Sequence, residues 1–240
     1  MRERAGLTIV TWNAQGRQGV NVPAVAAALA RFDADIVLLQ EIQRRQLGAL
    51  RASLDCGDAR WRFKHWPVRL PAEGLGVLSR LPLVDVHVQT LAHPIQFWSW
   101  RRRIALHVGV PRDGTTLRLV DVHLGAGVTP DERTRQARAV LARASEATLI
   151  GGDLNAAPSS LELATFARAG WRDAERGRRR DRPAPGTNWA PGPRTGPPTQ
   201  RLDYLLVPDD VTVLDAEVPE DWHVWAAWSD HLPVAACLDL

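Results

Sequence analysis

Lysine is almost missing from this sequence. Lys64 is the only one, so arginine supplies nearly all the positive charge; a GC-rich genome accounts for that bias without any functional selection. Cysteine is equally sparse. Cys56 and Cys237 are the only two, and neither lies in a C-x-x-C pair, which argues against a disulfide framework and a thiolate metal site. Cys237, within the apolar run VAACL, reads as a buried small residue. No apolar stretch is long enough to span a bilayer. The apolar run that follows Arg2, Glu3 and Arg4 stops at Trp12, so no signal peptide is expected. These absences favour the cytoplasm. Internal repeats and flexible linkers are missing as well, and one domain over residues 1–240 is expected, with a monomer favoured. Charge is balanced at 30 basic against 27 acidic residues. That does not announce nucleic-acid binding, although a pI near 9.5 permits an anionic partner.

Strand and helix signals alternate along the first third of the chain. Residues 7–12 predict a β-branched strand. Asn21 reads as an N-cap with Pro23 just inside a helix that runs to about Phe32. Residues 35–40 form a continuous apolar strand, and a second helix is expected over 43–53. Strands then follow one another at 60–66, 74–79, 83–90, 103–110 and 116–123. Thr129-Pro130-Asp131-Glu132 opens a helix expected to reach Ala147. A strand at 148–152, a helix over 159–169, a long irregular loop over 176–200 and strands at 203–207 and 233–239 complete the expectation.

Polar signatures interrupt the ends of these apolar runs: Asn13 in LTIVTWN, Glu41 in DIVLLQE, His123 in LVDVHL, Asp153 and Asn155 in TLIGGDLN, and Asp230 and His231 in WSDHLPV. A buried strand delivers such a group to the rim of a sheet with little positional freedom, and several strands can converge on one pocket. Glu41, Asp153 and Asp230 offer hard oxygen ligands suited to Mg²⁺ or Mn²⁺. Asn13 and Asn155 can donate to a phosphate oxygen or position a water. His123 and His231 can carry or pass a proton. Asp203, set among apolar residues in RLDYLL, needs a partner, and a histidine is the natural one. Each signature alone has a plain structural reading: a turn at Gly152-Asp153, a cap at Glu41, an Asx turn at Asp230. Their joint occurrence describes metal-assisted cleavage of a phosphate ester.

The ordered set TWN, LLQE, GLGVLSR, VDVHL, GGDLN, RLDYLL and SDHLPV resembles the endonuclease/exonuclease/phosphatase superfamily, from Ile9 to Val234. That group includes DNase I-like nucleases, AP endonucleases, sphingomyelinases and inositol-polyphosphate phosphatases. The resemblance implies an α/β (α+β) four-layer sandwich, two packed mixed β-sheets flanked by helices, with the site at one rim. It implies Mg²⁺ (or Mn²⁺) as cofactor, Glu41 as the principal metal ligand with Asn13 beside it, and Asp230 as a further metal-associated acid. Asp153 would activate the attacking water with Asn155 positioning it. His231, paired with Asp203, would contact the scissile phosphate, and His123 would be a second phosphate-binding histidine. An arginine on the strand before that histidine is also implied. Arg101, Arg102 and Arg103 compete for it, and Arg103 is favoured because it directly precedes the Ile104-Ala105-Leu106 run.

The resemblance implies a phosphate-ester substrate, with DNA or RNA as candidates. His123 departs from the Asn-x-Tyr segment of the AP endonucleases, and Gln200-Arg201-Leu202-Asp203 departs from the Trp-Cys-Asp-Arg segment of the inositol phosphatases. A phosphodiesterase or nuclease is therefore expected. A phosphomonoesterase on a small metabolite or lipid headgroup and a silent binding scaffold are the alternatives. Phe97-Trp98-Ser99-Trp100-Arg101-Arg102-Arg103 interleaves aromatics with arginines and makes Trp100, Arg102 and Arg103 candidate substrate contacts; a packed strand edge is the competing reading. Trp222, Trp225 and Trp228, three residues apart, read as a core stripe before a pocket wall. Arg178, Arg179 and Arg180 read as a solvated face.

Overall fold

A computed structural model of the protein describes residues 6–63, 72–92, 103–112, 114–145, 147–175 and 184–240. Lys64, Phe97 to Arg102 and Arg178 to Arg180 lie outside them, so Trp100 and Arg102 receive no structural account. Twelve strands among the described residues form two six-stranded sheets. The first contains β1 (Leu7–Asn13), β2 (Ile36–Gln43), β3 (Asp58–Phe63), β4 (Glu73–Ser79), β11 (Thr212–Glu217) and β12 (Val234–Asp239). The second contains β5 (Val84–Ala92), β6 (Arg103–Arg112), β7 (Thr115–His123), β8 (Thr148–Asp153), β9 (Trp171–Asp173) and β10 (Asp203–Pro208). Helices α1 (Val22–Ala30) and α2 (Arg44–Ser53) cover the first sheet; α3 (Pro130–Leu141) and α4 (Leu161–Arg168) cover the second. This is the four-layer sandwich expected.

Strand order runs β11-β12-β1-β2-β4-β3 in one sheet and β5-β6-β7-β8-β10-β9 in the other. Each sheet has one parallel pair, β1 with β2 and β7 with β8, flanked by antiparallel neighbours. The two pairs therefore deliver their C-terminal ends to a common rim, and the antiparallel partners β10 and β12 begin at that rim.

Period-two alternation assigns the faces. Along β7, Leu117 and Leu119 join the core between the sheets, whereas Val120 and Val122 pack with Ala137, Val140 and Phe166 beneath α3 and α4. Asp121 and His123 continue the inward row. Gln40 Nε2 donates to Thr11 Oγ1 at 3.0 Å within its own sheet and to Asp121 Oδ1 at 2.7 Å across the gap. Burial holds the Asp121 carboxyl well above its ordinary range. Gly151 lets the two sheets approach, and Gly152 lets β7 approach β8 within one sheet. A Cβ on Gly151 would lie 2.5 Å from Leu38 Cδ1, and one on Gly152 would lie 1.9 Å from the Val122 carbonyl oxygen at φ 152°.

The helix starts follow the expected chemistry: Asn21 Oδ1 accepts the Ala24 N–H, and Thr129 Oγ1 accepts that of Glu132. α3, however, ends at Leu141 and not at Ala147, because Ser145 and Thr148 form a turn in which the Thr148 hydroxyl accepts the Ser145 N–H. Two strands went unanticipated. β9 has three residues, and β11 is an exposed edge strand with a bulge at Val213/Asp215 that erases its alternation. Cys237 is half-buried, not buried, since it alternates away from Ala236 and Leu238; both cysteines are free.

One polar relay ties α3 to the second sheet. His107 Nε2 meets Gln89 Oε1 at 2.9 Å, and Gln89 Nε2 donates to the Ala139 carbonyl at 2.6 Å. Burial and the stacked His87 ring, 4.3 Å away, lower the His107 pKa to about 4. The unfolded chain binds this proton near pH 6.5 and the folded chain only near 4, so His107 lowers stability as pH falls through that window. Urea midpoints measured across it should fall less steeply in His107→Gln than in wild type. Gly152→Ala should cost roughly 3 kcal/mol or more in the same assay; an unchanged midpoint would contradict the close approach of β7.

Candidate active site

The two parallel pairs place Asn13 opposite Gln40 and His123 opposite Asp153, while the antiparallel β10 places Asp203 opposite Asp153. His231 lies just ahead of β12, on the same rim. The sequence expectation put Asp230 and His231 at the end of an apolar run; they instead lie just ahead of β12, while Asp203 opens β10 as the expected strand over 203–207 has it.

Asp153 is the hub. Its Oδ2 accepts a hydrogen bond from Asn13 Nδ2 at 3.0 Å and lies 3.4 Å from His123 Nε2 and 3.8 Å from His231 Nε2. Its Oδ1 accepts the Asn155 backbone N–H at 2.9 Å. Asp203, fully buried, meets His231 Nδ1 through Oδ2 at 2.8 Å, which supplies the partner that its burial demands. Glu41 Oε1 stands 3.8 Å from His123 Nδ1, and Asp230 Oδ1 stands 3.9 Å from His231 Nε2. The Asn155 amide is turned to the Leu124 carbonyl at 3.1 Å. Arg103 opens β6 at the same rim, buried, on the face it shares with Ala105 and His107.

Backbone strain accompanies two of these residues. Glu41 has φ 55° and Asn155 has φ 48°, left-handed conformations that cost a non-glycine residue about 1–3 kcal/mol each. Glu41 sits within a bulge of β2 between Leu39 and Ile42, which re-aims a side chain at a sheet edge. It does not cap α2. That helix starts after Gln43, whose backbone N–H is accepted by Gln46 Oε1.

Electrostatics at the hub reflect crowded negative charge. Burial raises the Asp153 pKa to about 6; the His231 ring opposes the rise and the Asp203 carboxylate adds to it. At His231, burial disfavours the charged ring, but Asp203 and Asp153 outweigh it and hold the pKa up, to about 10. Asp153, Asp203 and His231 have ligand atoms within 4.8 Å of one another. Asp203 Oδ2 is engaged by His231 Nδ1, and Asn13 Oδ1 accepts the Gln15 N–H at 3.1 Å, so the carboxylates left to meet a cation are that of Asp153 and those of Glu41 and Asp230 beside the two imidazoles. Carboxylate oxygens are the hard donors that suit a divalent ion.

Several supporting residues gave no sequence signal. Ser229 Oγ donates to the Asn13 carbonyl at 2.6 Å and accepts the His231 N–H at 3.0 Å. Trp12 Nε1 donates to the His231 carbonyl at 2.9 Å. Of the tryptophan series, Trp225 is core and Trp222 and Trp228 are half-buried against it: α5 (Trp222–Trp225) sets Trp225 edge-on against Trp12, 5.4 Å between centroids, and against Trp228 at 5.9 Å. Arg201, just ahead of β10, forms a buried two-pronged ion pair with Asp173 and lies over the Tyr204 ring. It also donates to the Pro185 carbonyl, which anchors the loop over 184–200.

Two stacked six-stranded mixed sheets with helices outside define the DNase I-like α/β sandwich. Residues 10–231 match the model of the Endonuclease/Exonuclease/phosphatase family, and the chain belongs to that family. No curated protein matches its sequence. Among solved structures, an endonuclease/exonuclease/phosphatase from Beutenbergia cavernae is 22% identical with a TM-score of 0.80, over 99% of this chain and 72% of that one. The 3′ phosphatase NExo from Neisseria, bound to a product DNA hairpin, is 21% identical with a TM-score of 0.76, over 98% and 100%. A mannosyl-6-phosphatase from Bacteroides thetaiotaomicron is 18% identical with a TM-score of 0.72, over 98% and 100%. The family makes the chain a phosphoesterase hydrolase. Among the described residues no helix is long and apolar enough to cross a membrane.

Removing one partner of a buried ion pair strands the other charge. Arg201→Met should therefore lose about 3–5 kcal/mol of stability by urea denaturation. A loss below ~1 kcal/mol would show that Asp173 is not left buried and charged.

Proposed function

We propose that the protein is a metal-dependent phosphodiesterase or nuclease that cleaves P–O bonds by in-line attack of water. One observation carries the reading: Asp203, His231, Asp153 and Asn13 form a continuous buried polar row across both sheets. Asp153, with its pKa raised by burial, receives the proton of the attacking water. Asn13 orients that carboxylate through its amide, and Asn155 shapes the turn beside it. His231 presents Nε2 to the phosphate while Asp203 holds Nδ1, which fixes the ring's tautomer and basicity. His123 offers a second imidazole to a non-bridging oxygen. Glu41, Asn13 and Asp230 would hold Mg²⁺ or Mn²⁺, which when bound supplies charge stabilisation at the phosphate and leaving oxygen. Arg103, at the rim, is proposed as a substrate contact, and Arg102 and Trp100 are proposed as contacts from their sequence alone.

The same reading takes the chain as one domain acting as a cytoplasmic monomer on a phosphate ester, DNA or RNA included. A phosphomonoesterase is the second reading, favoured by the phosphatase names of the Neisseria and Bacteroides thetaiotaomicron neighbours.

Purified protein should hydrolyse bis(p-nitrophenyl) phosphate with Mg²⁺ or Mn²⁺ and lose that activity in EDTA. Asp153→Ala and His231→Ala should each lower kcat by about 10²- to 10⁴-fold. Fully active variants would defeat the site assignment, and turnover of monoesters alone would favour the second reading.

A further inference from the structure

The segment Thr187-Asn188 lies in the loop that the sequence leaves irregular, yet it touches both members of the Asp203–His231 pair. Thr187, fully buried, accepts the backbone N–H groups of Leu202 and Asp203 through Oγ1, at 3.0 and 3.1 Å. Its carbonyl accepts the Leu232 N–H at 2.6 Å. Asn188 pairs as an isolated bridge with Gln200 on one side and with His231 on the other, and Trp189 N–H donates to the Asp230 carbonyl at 3.0 Å. Two residues thus stitch the start of β10, in one sheet, to the start of β12, in the other.

The Asn188 side chain, 7% exposed, adds a contact inside the site. Its Nδ2 lies 2.9 Å from His231 Nε2 and 3.1 Å from the Asp230 carbonyl oxygen. A carbonyl oxygen can only accept, so the atom facing it is the NH₂ group. That places the amide within hydrogen-bond distance of Nε2, against the ring that Asp203 holds at Nδ1. The imidazole is held at both nitrogens, by Asp203 at Nδ1 and by Asn188 at Nε2.

We propose that Asn188 is a positioning residue of the hydrolytic site, fixing the His231 ring from the Nε2 side while Thr187 fixes the Asp203 backbone. This rests on the phosphoesterase reading above. Its physical content is rotational: with Nδ1 alone held, the ring can swing about that bond, and loss of alignment at a reacting atom costs up to about 10²-fold in rate.

Asn188→Asp keeps the volume and removes the donor, whereas Asn188→Leu removes both the donor and the acceptor. Both should lower kcat on bis(p-nitrophenyl) phosphate by about 10- to 100-fold with KM within about threefold, in protein whose cooperative melting shows that it folds. Long-range ¹H–¹⁵N spectra of the ¹⁵N-labelled protein should show the His231 Nε2 resonance moving in both variants while Nδ1 keeps its bonded position. An unmoved Nε2 resonance, or full activity in Asn188→Asp, would overturn the proposal. If the wild type turned over no phosphate ester yet Nε2 moved as expected, the phosphoesterase reading would fall and the hold on the ring would stand.

Discussion

The hydrogen bond from Asn13 to Asp153 joins the last residue of a strand in one sheet to the last residue of a strand in the other, and the rest of the site is arranged around it. A buried carboxylate is costly unless donors and cations meet it. Here Asn13, the Asn155 backbone and two imidazoles surround one carboxyl group. Neither sheet could build this alone. The first contributes Asn13, Glu41 and His231; the second contributes His123, Asp153 and Asp203. Below the rim, Gln40 and Asp121 repeat the crossing with a second polar contact, so the spacing of the half-sites is set at two depths of the core.

Topology explains why so few residues suffice. Each parallel pair sends two strand ends to one edge, and each antiparallel neighbour starts there. Six strands therefore bring side chains from Asn13 to His231 to one rim, where the Thr187-Asn188 segment adds its hold on Asp203 and His231. Where a regular strand would aim a group wrongly, the chain accepts strain. Glu41 and Asn155 adopt left-handed backbone angles and Gly152 lets β7 pass at close range. Among the described residues, Glu41 and Asn155 are two of six non-glycine residues with such angles, and at a site the strain serves to aim a group.

The legible part of the sequence was the part written in strands. Alternation and apolar runs located β1, β2, β7 and β8, and the polar residues that interrupt those runs are the ones that meet at the rim. Asp203 could be matched to a histidine because an acid among apolar neighbours demands a partner. What stayed hidden had no period to betray it. Thr187 and Asn188 sit in a Pro- and Gly-rich stretch whose order comes from bonds to Gln200, Leu202, Asp203 and Leu232, all distant along the chain or across the sandwich. Ser229 serves two backbones at once, a role that no spacing rule encodes. The bulged edge strand β11 and the early end of α3 likewise followed from tertiary contacts and a local side-chain turn that propensity overlooks.

The central claim is that Asp153 directs water onto phosphorus at the junction of the two sheets. Hydrolysis of bis(p-nitrophenyl) phosphate in ¹⁸O-labelled water, followed by mass spectrometry of both products, tests it most directly. The expected result is one ¹⁸O atom in the p-nitrophenyl phosphate and none in the p-nitrophenol, with the yield collapsing in Asp153→Ala. Label in the phenol, or undiminished labelled product from Asp153→Ala, would contradict the account.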